Sequence, residues 1–284
     1  MKAEICASLI LATKNRASGL ERALAYVLGI KSKRPFEVIL VDNGSSDRTP
    51  DVLNEFAARF CGRTTLLTCV RPGNSAARND AIRVANSSLL IFIDDDCYVR
   101  PGFIDAWVDV FADPRIGFGT GSIERFNTEH SPLGCRPVHS ERVYASSEWI
   151  PRGVIQGSNM AFAARCLTDI GSFDERFGAG TPWAGEDWDM AIRALRHGWR
   201  GGLFPGPVVA HDHGRGEEDA LDRLQFYDYG AGATYAKHLV SAQVARVVRA
   251  FAEDAWHARV QPGRVGALTR GVMSYFFNER SHSA

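Results

Sequence analysis

Apolar runs of strand length alternate with amphipathic segments of helix length over the first 115 residues. Four runs are almost continuously apolar, which is typical of strands buried on both faces of a parallel sheet: ICASLILAT (5–13), FEVILVD (36–42), TTLLTCV (64–70) and LLIFID (89–94). The segments between them carry apolar residues at i, i+3 and i+4 and predict helices: GLERALAYVLGI (19–30), DVLNEFAARF (51–60) and SAARNDAIRVAN (75–86). This order predicts an α/β fold with a right-handed, doubly wound, mostly parallel sheet.

The alternation is weaker after residue 115. The apolar runs still predict three strands, and the helical pattern of EDWDMAIRALRHG (186–198) predicts one helix. A polar, proline-containing stretch occupies residues 127–153. The predicted strands are GFGTGSIERF (117–126), VIQGSNMAFAA (154–164) and GLFPGPVVAH (202–211). Residues 217–260 favour two helices divided near Val240. We therefore expect one α/β domain over 1–215, with halves 1–115 and 116–215, and a helical extension over 216–284.

Composition narrows the class of protein. The chain has 284 residues, 45% of them apolar, and its 33 basic and 33 acidic residues cancel. No global charge draws it to nucleic acid or to an anionic membrane. Six cysteines without a C-x-x-C pair indicate reduced thiols in a cytosolic protein. No apolar run reaches the length of a membrane span, and the N-terminus predicts a first strand and not a signal peptide.

Polar loops follow each of the first four predicted strands. They are TKNR (13–16), DNGSSD (42–47), RPGNSAARN (71–79) and DDD (94–96). In open α/β sheets, ligands bind beyond the carboxyl ends of the strands, so we expect these loops to form one site. Each loop taken alone also fits an ordinary helix cap, as Ser45, Ser46 and Asp47 illustrate.

Three adjacent carboxylates at the rim of a core repel one another and lose hydration. Asp94, Asp95 and Asp96 stand in this position directly after LLIFI. We therefore expect a positive partner beside them. The simpler alternative is an acidic turn that caps the helix predicted to begin near Pro101, although a cap needs a single carboxylate.

A set of ordered motifs resembles the family 2 glycosyltransferases, which have the GT-A fold and use a nucleotide-sugar donor. The motifs span residues 5–211: ATKNR, VDNGSSDRT, NSAARNDAI, FIDDD as the D-x-D, GSNMAFAARCLTDIGSFDERF and GEDWDMAIRALRHGW. The resemblance implies a nucleotide-binding half over 1–115 and an acceptor half over 116–215. The C-terminal extension matches no motif.

The resemblance implies a divalent cation, Mn²⁺ or Mg²⁺, that offsets the charge growing on a diphosphate leaving group. Asp96 corresponds to its direct ligand and Asp94 to a residue that contacts ribose or metal-bound water. His211, at the end of the last predicted strand, corresponds to a further ligand. His213 completes an H-x-H spacing, which also suggests a zinc site, although no cysteine or third histidine is near in the sequence. His211 equally fits an ordinary hydrogen-bonded loop residue.

Donor-binding residues follow from the same comparison of motifs. The resemblance assigns Thr13, Arg16, Asn74, Arg78 and Asp95 to the nucleotide sugar, with Arg78 closing over the nucleotide. It assigns Asp42 to the base, where a carboxylate accepting an imino N–H suits uracil or thymine. A surface cation is the alternative for Arg16.

The helix at 186–198 predicts the acceptor side. Trp188, Ala191, Ile192 and Leu195 form its buried stripe, and helical phase places Asp187 at the edge of that stripe. The same phase turns Glu186, Asp189 and Arg193 away, the last two as an i, i+4 pair. The resemblance gives the ED element the general base of an inverting transfer, so we expect Asp187 in that role and Glu186 as the second choice.

Two further residues are assigned to the acceptor side, Trp183 beside the carboxylates and Asn159 in GSNMAF. An aromatic face suits a sugar, and a core position is the alternative for Trp183 and the better one for Trp188. The expected partners are a nucleotide sugar and a hydroxyl-bearing acceptor (saccharide, lipid-linked sugar or natural product), with no nucleic acid. We expect a cytoplasmic protein, with attachment to a membrane surface and a homodimer through the C-terminal helices both left open.

Other classes fit less well. A sugar-nucleotide pyrophosphorylase would carry a Gly-rich, Arg-containing loop where LATKNRASG stands, and a nicotinamide dehydrogenase would carry G-x-G-x-x-G there. A non-catalytic nucleotide-sugar-binding protein would be expected to lose the D-x-D or the base, and both are present. The sequence therefore favours a UDP-sugar-dependent transferase.

Overall fold

The computed structural model describes residues 4–214, 216, 220–239 and 244–282. Its strands are β1 Ala7–Thr13, β2 Phe36–Asp42, β3 Arg63–Thr68, β4 Leu89–Ile93, β5 Cys97–Val99, β6 Ile116–Arg125, β7 Arg142–Tyr144, β8 Asn159–Ala163 and β9 Arg200–His211. Its helices are α1 Ala17–Leu28, α2 Thr49–Arg59, α3 Asn74–Val84, α4 Phe103–Val110, α5 Ala164–Ile170, α6 Glu186–Arg196, α7 Ala220–Leu239, α8 Val244–Ala258 and α9 Arg264–His282.

One sheet in the described residues joins all of these strands in the order β3-β2-β1-β4-β8-β6-β9-β5, with β7 paired to β9. The first four strands are parallel, as the alternating pattern predicts. The order then reverses, because β8 runs antiparallel between β4 and β6 while β6 pairs with β9 in parallel. The doubly wound α/β class is confirmed, and the parallel half brings its carboxyl ends to one edge.

The central strands are buried on both faces. Alternate residues face opposite sides of a strand, so Ile10 and Phe92 join the core on one face of the sheet while Leu9 and Ile91 join the core on the other. Near-continuous apolar runs are the sequence trace of this arrangement. The helices between the strands cover both faces with their apolar stripes.

Several short elements escape sequence prediction. Strands β5 and β7 have three residues each, too few for a period-2 pattern. The run 154–164 yields a strand only from Asn159 onward. Helix α9 follows a break at Gly263, whose φ of 78° favours glycine. The division predicted near Val240 falls at residues outside those described.

The C-terminal helices pack onto the α/β core. Ala231 and Tyr235 of α7, with Leu268 of α9, belong to the same apolar cluster as Ile10. The ring centroids of Tyr235 and Trp188 on α6 are 5.0 Å apart. None of the described helices combines the length and apolarity that a membrane span requires.

Small residues let α7 approach its neighbours. A Cβ on Gly230 would lie 2.3 Å from the carbonyl oxygen of Ala184, and one on Gly232 would lie 2.0 Å from the carbonyl oxygen of Leu268. Backbone atoms cannot yield to such contacts, so α7 lies against both α9 and the residues that lead into α6.

Candidate active site

A cleft of 880 Å³ opens at the carboxyl edge of the sheet. Its walls come from the loops after β1, β2 and β4, the end of β9, the first turn of α6 and the first turns of α7. Residues from both halves of the domain and from the C-terminal extension therefore share one cavity. The predicted site residues that line it are Thr13, Arg16, Asn74, Asp94, Asp95, Asp96, Glu186, Asp187 and His211.

The three adjacent aspartates have separate partners. Asp94 accepts a hydrogen bond from Arg78 Nη2 at 2.9 Å. Asp95 accepts from Thr13 Oγ1 at 2.6 Å and from Arg16 Nε at 3.1 Å. The positive groups that the sequence requires beside these carboxylates include two arginines of the chain itself.

Asp96 contacts Arg16 Nη2 at 3.2 Å and His211 Nε2 at 3.1 Å. Burial works to raise the pKa of Asp96, but the hydrogen bond and charge of His211 and the charge of Arg16 outweigh it and lower that pKa. Burial raises the pKa of Asp95 to about 6, against the opposing effects of Arg16 and Thr13. At neutral pH, Asp96 is accordingly the more firmly ionised of these two carboxylates.

Arg78 joins the two acidic elements of the cleft. Its Nη2 contacts Asp94 and donates to the carbonyl of Gly157 at 3.2 Å, while its Nη1 contacts Glu186 Oε1 at 2.9 Å. The side chain is 2% exposed and lies behind the cleft wall. The predicted contact of Arg78 with the nucleotide stays a prediction. The residue bridges the D-x-D to the ED element from inside the protein.

Asp187 is held by backbone donors. Its Oδ2 accepts from the N–H of Gly157 at 2.9 Å and its Oδ1 from the N–H of Trp188 at 2.7 Å. Burial, followed by the negative charge of Glu186, raises the pKa of Asp187 to about 7. A carboxyl group with such a pKa exchanges its proton readily near neutral pH, as a general base must.

Two orientations predicted from helical phase are wrong. Glu186 does not turn away from the site, because the buried guanidinium of Arg78 holds it inward. Asp189 is 0% exposed and contacts Lys237 Nζ and His238 Nε2, each at 3.0 Å. The predicted pair of Asp189 with Arg193 is present at 3.0 Å, yet α7 covers it.

The two residues assigned to the acceptor lie in the core. Trp183 is 2% exposed and packs against Phe177 and Tyr275 at ring-centroid distances of 5.2 and 5.5 Å. Asn159 is 0% exposed, accepts from Trp107 Nε1 and donates to the carbonyl of Pro207. Long-range packing occupies both side chains in this structure, and their contact with an acceptor stays a prediction.

Three other candidates sit near the cleft in different ways. Asp42 ends β2 and accepts from the N–H of Ser45 at 3.1 Å, while the next residue, Asn43, lines the cavity. Asn74 begins α3, and its buried Oδ1 accepts no hydrogen bond from any residue that the structure describes. His213 lines the cavity and hydrogen-bonds the carbonyl of Ser131 through Nε2 at 3.0 Å.

The far wall of the cleft carries residues that sequence reasoning missed. Arg152, Arg223, Asp228 and Arg264 line it. They come from the 127–153 loop and the C-terminal helices, which carry no motif, and only the packing of α7 brings them together. No local pattern in the sequence signals this contact.

The side chains around Asp96 can be compared with the ligands that a divalent cation requires. Asp96 Oδ1 and His211 Nε2 are 3.1 Å apart, close to the spacing of about 3 Å between neighbouring ligands of an octahedral ion. Cys97 lies beside them, but burial raises the pKa of its thiol well above the ordinary value, so it is a neutral core group. A carboxylate with an imidazole fits Mn²⁺ or Mg²⁺, and Asp94 adds a second carboxylate nearby.

Two family models match the chain. The model described as glycosyl transferase family 2 matches residues 8–146, and the one described as glycosyl transferase family group 2 matches residues 89–261. The fold and the site together define a GT-A-type α/β protein with an acidic cleft at the carboxyl edge of its sheet. The chain belongs to the family 2 glycosyltransferases.

Curated relatives are similar over most of the chain. It is 26% identical over 242 residues to the pre-mycofactocin glycosyltransferase of Mycobacterium tuberculosis, covering 81% of this chain and 48% of that protein. It is 27% identical over 175 residues to the glycosyltransferase AglE of Haloferax volcanii, covering 61% and 57%. The chain thus spans about half the length of the curated relatives it matches.

Solved structures share the fold. The mannosyltransferase PcManGT from Pyrobaculum calidifontis, in complex with GDP-Man and Mn²⁺, superposes with a TM-score of 0.65 and 20% identity over 96% of this chain and 74% of that one. S. aureus TarS 1-349 in complex with UDP-GlcNAc gives 0.59 and 16% over 93% and 84%. The GT-A expectation for the fold is confirmed.

Proposed function

We propose that this chain transfers a sugar from a nucleotide-diphosphate sugar, most favourably a UDP-sugar, to an acceptor hydroxyl with inversion at the anomeric carbon. One observation carries the proposal. The guanidinium of Arg78 contacts Asp94 of the D-x-D and Glu186 of the ED element, each at 2.9 Å. Arg78 thereby ties the aspartates proposed to hold a cation to the first turn of α6, where the next residue, Asp187, has a pKa raised to about 7.

The base is Asp187. An acceptor hydroxyl hydrogen-bonded to it loses its proton as the oxygen attacks, and the two backbone N–H groups that hold the carboxylate keep it oriented. Glu186 remains paired to Arg78 and acts by positioning. When bound by Asp96, Asp94 and His211, Mn²⁺ or Mg²⁺ supplies Lewis-acid stabilisation of the leaving diphosphate.

The donor pocket is proposed to lie over the loops after β1 and β2. Thr13 and Arg16 hold Asp95 in place toward the donor sugar, and Asn74 lines the same cavity. Asp42 is proposed to accept from the imino N–H of uracil or thymine. The TarS structures bound to UDP and UDP-GlcNAc support uracil as the base. PcManGT is bound to GDP-Man, so guanine nucleotides are included in the test.

Assembly and location stay predictions. We propose a cytoplasmic protein whose 216–284 region extends the 1–215 domain and offers a surface for a second copy or a membrane. Large apolar side chains exposed on α8 and α9 support such a surface, among them Val248, Trp256 and Phe277. Sedimentation analysis and vesicle co-sedimentation distinguish the two uses.

The proposal is tested by calorimetric titration of UDP, GDP and CDP with and without MnCl₂. We expect UDP to bind tightly only with Mn²⁺, and Asp96→Asn to remove that metal dependence while thermal unfolding is unchanged. Asp109→Asn, an exposed aspartate on α4, is the matched control. Equal Mn²⁺-dependent UDP binding by wild type and Asp96→Asn contradicts the metal assignment, and a preference for GDP contradicts the choice of nucleoside.

A further inference from the structure

The far wall of the cleft carries arginines whose positive charge the neighbouring carboxylates neutralise only in part. Fully buried Asp228 on α7 accepts from Arg152 Nη1 at 2.6 Å and from Arg264 Nε and Nη2 at 2.6 and 3.0 Å. Asp254 on α8 contacts Arg152 Nε at 2.9 Å. We call Arg152, Arg223 and Arg264 the arginine wall.

Arg223 is the group without a counterion. Its guanidinium lies 5.9 and 5.7 Å from the ring centroids of Phe226 and Tyr227, and among the residues that the structure describes it meets no carboxylate. Three guanidiniums thus face two carboxylates, and one positive charge remains in a half-buried position lining the cleft. Arg152 and Arg264 also keep N–H groups that Asp228 and Asp254 do not use.

Contacts along α7 place this charge on the side of the base. Gly230 lies against Ala184, and Gly185 lies against Thr234, so α7 crosses the chain just before Glu186. Arg223 is seven residues before Gly230 and therefore about 10 Å along the helix from that contact. Arg152 belongs to the loop that leads to Gly157, whose N–H holds Asp187.

We propose that the arginine wall binds an anionic group, a phosphate or a carboxylate, on the acceptor. The inference rests on the proposed function, because it takes Asp187 to mark the acceptor side. An oxyanion satisfies the free donors of Arg223 and its neighbours, and charge-assisted hydrogen bonds of this kind are short and directional. The adjacent Phe226 and Tyr227 give the non-ionic part of the acceptor an aromatic surface.

The test compares glucose, glucuronate and glucose 6-phosphate, probes that share one sugar ring and differ in charge. Dissociation constants are measured by NMR titration on wild-type protein, both free and saturated with UDP and MnCl₂. We expect at least one anionic probe to bind about ten- to a hundredfold more tightly than glucose. The stronger of the two anions identifies the source of the charge, phosphate or carboxylate.

Variants assign the effect to the wall. Arg223→Gln should reduce the anionic preference to about twofold or less, and Arg223→Lys should restore part of it. Arg259→Gln, which replaces an exposed arginine just after α8 and outside the cleft, is the matched control and should leave the preference intact. Because Arg223 contacts only aromatic rings, and no carboxylate, within the part of the chain that the structure describes, its replacement should change thermal unfolding little.

Three results overturn the inference: equal binding of glucose and both anions, an anionic preference that Arg223→Gln leaves unchanged, or a loss of UDP affinity in Arg223→Gln as large as the loss of anion affinity. The last would place Arg223 on the donor diphosphate. Failure of UDP to bind wild type would contradict the proposed function instead. The probes on nucleotide-free protein would still show whether the arginine wall binds an anion.

Discussion

Asp187 and Asp189 lie two residues apart on α6 and have opposite electrostatic environments. Asp187 faces the cleft, accepts from two backbone N–H groups and, among the described residues, contacts no cation. Burial, followed by the charge of Glu186, raises its pKa to about 7. Asp189 is also strongly desolvated, yet hydrogen bonding to His238 and the charges of Arg193 and Lys237 lower its pKa well below the usual range.

The difference shows that burial alone does not fix the role of a carboxylate. Burial favours the neutral form of both groups, and the partners decide the outcome. Asp189 is permanently ionised and holds α6 to α7 through Lys237 and His238. Asp187 has a pKa near neutral pH and can bind and release a proton there, whereas a carboxylate in a structural ion pair stays ionised. One aspartate is therefore suited to stability and the other to proton transfer.

Asp187→Asn gives the largest expected effect. The substitution keeps the shape of the side chain and removes the proton acceptor, so turnover should fall by about 10² to 10⁴. Donor affinity should hardly change. The measurement is single-turnover transfer, once a donor and an acceptor are known, together with the anomeric configuration of the product by NMR.

Glu186→Gln serves as the neighbouring control for that experiment and should cost less, because Gln still accepts a hydrogen bond from Arg78. A dead Glu186→Gln enzyme beside an active Asp187→Asn enzyme would exchange the two roles. Retention of configuration would contradict the single-displacement mechanism.

Asp189→Ala should act on stability and not on chemistry. Removing this carboxylate leaves Arg193, Lys237 and His238 without their shared partner, and breaking a buried ion pair costs about 3–5 kcal/mol. Because the pKa of Asp189 is lowered in the folded state, its contribution is present above the ordinary value of 3.8 and is lost as pH falls below it. Urea denaturation at pH 7 and at about pH 2 should show the gap between wild type and variant narrowing at the lower pH.

Exposed Asp222 on α7 provides the comparison for Asp189, and Asp222→Ala should stay within about 0.5 kcal/mol of wild type. An Asp189→Ala protein as stable as wild type would mean that the cations find other partners. Loss of activity without loss of stability would move Asp189 into the catalytic group.

The same two aspartates show how far sequence reasoning extends. Strand ends are local features, so the loops that meet at the cleft and the D-x-D among them follow from the apolar pattern. Helical phase gives the angle of a side chain around its axis but not the element that covers it. It placed Asp187 at the cleft, and it failed for Asp189 because α7 covers that face.

Long-range partners explain the other differences between the positions expected from the sequence and those in the structure. Glu186 is drawn inward by Arg78, which lies 108 residues earlier, and Asn159 is taken up by Trp107, 52 residues away. Neither pairing leaves a periodic trace in the sequence. The arginine wall is a stronger case, since its residues come from three separate segments that only the packing of α7 brings together.

The smallest expected effect is a shift in the pH profile, and it bears directly on the raised pKa of Asp187. A base must be ionised to act, so kcat/KM should rise about tenfold per pH unit below pH 7 and level off above it. The negative charge of Glu186 disfavours ionisation of Asp187. Glu186→Gln should therefore move this rising limb of the kcat/KM profile to lower pH by a fraction of a unit. Glu253→Gln, an exposed glutamate on α8, should leave the limb in place. A limb that shifts to higher pH in Glu186→Gln would mean that the pairing of Glu186 with Arg78, and not its charge, controls the proton affinity of Asp187.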